Sequence, residues 1–137
     1  MNKKQVLKSL HIIQEVESKV VFVGGVSLYL YGLKDTFTDI DVIVPSLINI
    51  QKLGTPIEYV TDSGFSFSGK RAFLIWEEKY KLDIFVENPV YQVELVEGLR
   101  CQSIGGMLKY YEDIQTRVKP IWDSYIEEKV EFLKKHT

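Results

Sequence analysis

"VFVGGVSLYLYGLKDTFTDIDVIV", Val21 to Val44, decides the reading of this chain. A short β-branched and aromatic run, Val20–Val23, ends at two adjacent glycines, Gly24 and Gly25. "VSLYLYGL" follows, with Val26, Leu30 and Leu33 at helical steps, which predicts a short helix. "TDIDVIVP" then predicts a second strand, closed by Pro45, that carries Asp39 and Asp41 at its mouth. On an extended strand, residues i and i+2 project to one face about 7 Å apart, so the two carboxylates should point the same way. They repel unless a cation lies between them or one is protonated. Hard divalent cations such as Mg2+ meet that need, because they prefer carboxylate oxygen and keep positions open for phosphate. The plainer reading is a turn residue followed by a strand-edge aspartate, and D-x-D alone does not choose. The setting argues for a partner, since Ile40, Val42, Ile43 and Val44 make this a strand buried on both sides.

A third carboxylate has the same setting. In "YKLDIFVE" Asp83 lies between Leu82 and Ile84, in a run continuing to Phe85 and Val86. If that strand lies beside "DIDVIV", Asp83 completes a three-carboxylate cluster of the kind two-metal sites use. The alternative is an ion pair with Lys79 or Lys81. Strand, Gly-Gly, helix also suits an anion, because glycine admits close backbone approach and a helix start offers free N–H groups. Ser27 would add a hydroxyl there. A tight turn with no ligand fits Gly24–Gly25 equally well.

Composition limits the rest. The 137 residues fit a single domain, 1–137. With 45% hydrophobic and 26% charged residues, they can build a core. Seventeen Lys plus Arg against 19 Asp plus Glu give a net charge of -2, no footprint of broad nucleic-acid binding. The lone Cys101 excludes an internal disulfide framework and points to a reducing, cytoplasmic setting. The N-terminus is a poor signal peptide, and the uncharged stretch from Val20 to Leu33 is too short to span a bilayer, so no membrane is expected.

Elsewhere, residues 2–18 predict an amphipathic helix through Val6, Leu10 and Ile13, and Ser46–Leu53 a short helix capped by Ser46. "IEYVT" predicts a strand, "GFSFSGK" a hairpin or surface strand, and "RAFLIWEEKYKLDIFVE" two strands joined near Glu77–Lys79. Residues 103–117 and 120–135 predict helices, the latter begun by Pro120 and carrying Trp122, Ile126, Lys129 and Leu133. The class is α/β (α+β): a mixed sheet flanked by helices. "GFSFSGKR", Gly64 to Arg71, imitates a P-loop but has Arg71 where Ser or Thr is needed and is followed by strands rather than a helix. Lys70 and Arg71 remain cations that could touch a triphosphate or simply form a solvated hairpin. His11 and His136 receive no role.

The ordered set of "VFV", Gly24–Gly25 with Ser27, "TDIDVIV" and "KLDIF" resembles the nucleotidyltransferase superfamily typified by DNA polymerase β. Within it, the pattern is similar to the small AbiEii-like bacterial and phage nucleotidyltransferases, many of them toxin-related. Gly24, Gly25, Ser27, Gly32, Thr38, Asp39 and Asp41 carry that likeness; Lys109, Arg117, Lys119 and Asp123 match a later helical Lys/Arg pattern loosely. The resemblance covers residues 20–87 and, more weakly, 103–130. It implies a minimal nucleotidyltransferase fold with C-terminal helices, transferring an NMP from an NTP to a hydroxyl on RNA or protein. Asp39, Asp41 and Asp83 would be the catalytic residues and hold Mg2+ or Mn2+. Gly24, Gly25 and Ser27 would cradle the β- and γ-phosphates, and Lys109 would neutralise triphosphate charge. "GLKDTFT" lacks the Arg that often follows Gly32 in that group, and no acceptor-binding domain is recognisable. Those two features motivate the alternative, a catalytically silent fold serving as a binding or inhibitory module. A chain this small could also borrow surface from a partner protein or a second copy.

Overall fold

The computed structural model describes residues 2–54, 58–60, 70–88, 91–115 and 123–137. Helix α1, Lys3–Val16, starts at a capping box: the Asn2 side chain accepts from the Gln5 N–H at 2.9 Å, and the Gln5 side chain accepts from the Asn2 N–H at 3.3 Å. Its Val6, Leu10 and Ile13 are buried, as their spacing predicts. β1 (Val21–Val23) runs directly into α2 (Gly24–Leu30), so Gly24 and Gly25 form the helix's first turn rather than a loop before it. β2 spans Ile40–Val44. Asp39 therefore falls in the bend before the strand, and strand alternation does not fix its direction.

The rest of the sheet follows as β3 (Glu58–Val60), β4 (Arg71–Trp76), β5 (Tyr80–Val86), β6 (Val93–Val96) and β7 (Leu99–Gln102). Two helices close the chain, α3 (Ile104–Ile114) and α4 (Asp123–Lys134). The helix expected over Ser46–Leu53 is only a 3-10 turn, Ile50–Leu53; the Ser46 hydroxyl accepts from the Ile48 N–H at a long 3.4 Å. The "GFSFSGK" segment before Lys70, Pro120 and Trp122 lie outside the described residues. Among the described residues, no helix is long and apolar enough to cross a membrane.

The seven strands form one mixed sheet in the order β3-β4-β5-β2-β1-β7-β6. β2 runs parallel to β5 and antiparallel to β1, while β1 runs parallel to β7. Alternation sends Phe22, Ile40, Val42, Val44, Leu82 and Ile84 into the main core, packed with α1 and α2. The opposite face carries Val21, Val23, Ile43 and Phe85, and on it also stand Asp41 and Asp83. α3 and α4 cover that region, joined to α2 through Leu28, Met107 and Leu133.

The β6–β7 hairpin has no counterpart among the elements read from sequence. Its turn, Glu97–Gly98, has φ of 54° and 77°, a conformation glycine at the second position eases. α1 holds this turn in place. His11 Nε2 lies 3.0 Å from the Glu97 carbonyl oxygen, and Gln14 donates to the Gly98 carbonyl at 2.9 Å and accepts from the Arg100 N–H at 2.8 Å. His11 thus does structural work.

Candidate active site

Parallel pairing of β2 with β5 sets Asp41 directly opposite Asp83, with Ile43 opposite Phe85 one pleat further on. β1 adds Val23 across from Asp41, so the end of β1 and the start of α2 meet the carboxylate. Gly24 is the point of closest approach. It has φ +61°, and a Cβ built there would lie 2.5 Å from Asp41 Oδ2. Only a residue without a side chain lets this carboxylate lie against the helix start. Burial pushes the Asp41 carboxyl up to about 7, reinforced by the negative charges of Asp83 and Asp39; a hydrogen bond from the Gly25 backbone opposes the rise.

Asp83 has a cation of its own. Arg71 Nε donates to Asp83 Oδ1 at 2.7 Å and Nη2 to Oδ2 at 2.5 Å, a two-pronged pair. The β4–β5 register makes this contact: Arg71 pairs with Phe85 and Phe73 with Asp83, leaving Arg71 and Asp83 diagonal neighbours on one face. The guanidinium also lies 4.8 Å from the Phe73 ring centre and 5.1 Å from that of Phe85. The partners expected from sequence are elsewhere. Lys79 belongs to the turn and Lys81 lies over the Phe73 ring at 4.5 Å.

A cavity of about 220 Å3 opens above this pair, bounded by Gly24, Asp41, Arg71 and Asp83 on the sheet side. Tyr110, Tyr111 and Tyr125, from α3 and α4, form its other wall. Tyr110 donates to Glu87 at 3.0 Å. Burial, then Tyr125, Asp41 and Asp83, raise the Tyr111 hydroxyl well above the ordinary tyrosine range, so it keeps its proton beside the acids. The charges on the helices do not reveal these tyrosines; the adjacent aromatics of "KYYED" are their signal in the sequence.

The remaining expected residues fall outside the cavity wall. Asp39 is partly buried in its bend and acts on Asp41 through its charge. Ser27 is fully buried, and its hydroxyl donates to the Gln102 carbonyl at 3.2 Å, tying α2 to β7. Gly25 contributes its backbone to Asp41. Lys109 is exposed and pairs with Asp113 at 3.4 Å one helical turn on. Arg117 and Lys119 lie outside the described residues, as does the side chain of Asp123.

Asp41 and Asp83 are the carboxylates that a hard divalent cation would meet in this cavity. Two carboxylates from adjacent strands face one cavity, and among the described residues no side chain forms an ion pair with Asp41 as Arg71 does with Asp83. Among the described residues, no group of three His, Cys, Asp or Glu side chains is placed to hold a metal ion, so the three-carboxylate cluster expected of Asp39, Asp41 and Asp83 does not form. Mg2+ ordinarily takes only one or two carboxylates and completes its shell with water and phosphate oxygen.

No family model matches the chain, and no curated protein matches it. Among solved structures it is similar to the crystal structure of JHP933 from Helicobacter pylori, with a TM-score of 0.55 and 16% identity. The match covers 97% of this chain and 65% of that one. At that identity the likeness is one of fold, shared by nearly the whole of this chain with about two thirds of the longer protein.

Proposed function

We propose that the chain is a metal-dependent nucleotidyltransferase, moving a nucleoside monophosphate from an NTP to a hydroxyl of RNA or protein and releasing pyrophosphate. One observation carries this reading: Asp41 and Asp83 stand in register on neighbouring strands, with Gly24 stripped of a side chain where the carboxylate meets a helix start. Asp41 and Asp83 would hold Mg2+, which, when bound, draws charge from phosphate oxygens and lowers the barrier to displacement at phosphorus. Arg71 fixes Asp83 in one orientation and supplies a permanent positive charge beside it. The Gly24–Gly25 backbone keeps the approach to Asp41 open, and the tyrosine wall narrows access of water to the cavity.

A second reading has its own support. Because Arg71 already neutralises Asp83, and Ser27 and Lys109 are engaged elsewhere, the fold could serve as a silent binding module. Incubation with each labelled NTP, Mg2+ and total cell extract separates the two. Label transferred to RNA or protein by wild type, and lost in Asp41→Asn, supports the enzyme; no transfer with any NTP supports the silent module.

A further inference from the structure

A second cavity, of about 330 Å3, is lined by Leu28, Lys34, Tyr125, Glu128, Lys129 and Phe132. Two ammonium groups converge on it from different parts of the chain. Lys34 follows α2 and rests 4.5 Å from the Phe132 ring centre; Lys129, on α4, lies 5.3 Å from that of Tyr125. Among the described residues, neither has a carboxylate within ion-pair distance. Lys129 is partly buried, and burial followed by the charge of Lys34 lowers its proton affinity, with Asp41 and Glu128 pulling the other way. Like charges held together on aromatic rings are costly unless an anion joins them. Glu128 leaves the lining a net positive charge, which suits an anion of more than one negative charge. Tyr125 lines this cavity and the carboxylate cavity alike, so the two adjoin.

We propose that Lys34 and Lys129 form a seat for the terminal phosphates of an oligophosphate whose other end reaches the Asp41–Asp83 cavity. The assignment of that ligand as a nucleotide rests on the transferase reading; the anion seat does not. Calorimetric titration with inorganic pyrophosphate, ATP and AMP, on wild type, Lys34→Gln, Lys129→Gln and Lys129→Arg, tests it. Losing one ammonium–phosphate contact should weaken pyrophosphate and ATP by about tenfold in each Gln variant, leave AMP unchanged, and be largely restored by Lys129→Arg. Lys34 is exposed, so its variant keeps the test valid even if Lys129→Gln unfolds. Pyrophosphate binding through the lysines without ATP binding would keep the seat, for a free oligophosphate, and remove the nucleotide reading. Absence of pyrophosphate binding by wild type, or pyrophosphate affinity in both Gln variants equal to that of wild type, would overturn the seat even if ATP binds.

Discussion

Arg71 holds both oxygens of Asp83, at 2.7 and 2.5 Å, while Asp41, opposite Asp83 on the next strand, has no such fork. One acid is fixed and neutralised, while burial and neighbouring carboxylates favour the protonated form of the other. Arg71→Met would leave two facing acids with no cation between them. Because the pair is partly exposed, the expected loss is about 2 kcal/mol, below the range for a fully buried pair. Arg71→Lys should recover only part of it, since a point charge cannot reproduce the fork. Urea unfolding of the three proteins measures both effects.

The charge on Asp41 has a pH signature. Its folded value of about 7 is raised from 3.8, so between those values the folded state binds more protons than the unfolded chain. Stability should therefore fall as pH rises from about 4 to about 7 and stay low above that. Asp41→Asn removes this titration. The variant should be more stable than wild type at pH 8, by on the order of 2 kcal/mol, and the advantage should vanish near pH 4. Thermal unfolding across that range checks the sign.

Gly24→Ala should damage the site before the fold. The substitution meets Asp41 Oδ2 at 2.5 Å and imposes a left-handed backbone on alanine. The strain is expected to cost about 1–3 kcal/mol. Relief requires the Asp41 carboxylate to move, so metal-dependent nucleotide binding should drop even in conditions where the variant is fully folded by circular dichroism.

Ser27→Ala gives the opposite pattern. The hydroxyl is buried on the Gln102 carbonyl, away from the cavity. Its loss should cost about 1 kcal/mol of stability and leave nucleotide affinity as in wild type, measured by unfolding and by calorimetry on the same samples.

These four cases show what the sequence makes legible. Strands β1, β2, β4 and β5 announce themselves through β-branched and aromatic runs, and Asp41 and Asp83 stand out as charges inside them. Their apposition could be stated only as a condition, because a parallel pairing between distant strands leaves no local mark. Arg71 was recoverable: a tight turn joining Trp76 to Tyr80 counts back to Arg71 beside Asp83. Lys79 and Lys81 were nearer in sequence but not in space. Asp39 was placed with Asp41 by assuming that the strand begins earlier than Ile40. Helical phase turns Ser27 toward β7 and Lys109 toward Asp113 and solvent, while Tyr110 and Tyr111 face the acids. The β6–β7 hairpin is short, and its Glu97–Gly98 turn was the one cue available.

Whether Asp41 and Asp83 form a cation-dependent nucleotide site is decided by calorimetry with NTPs in the presence and absence of Mg2+. Wild type should bind an NTP only with Mg2+, and Asp41→Asn and Asp83→Asn should each weaken binding at least about tenfold, a loss of about 1.4 kcal/mol. NTP binding indifferent to Mg2+ and to both substitutions, or no binding of any NTP, would contradict it.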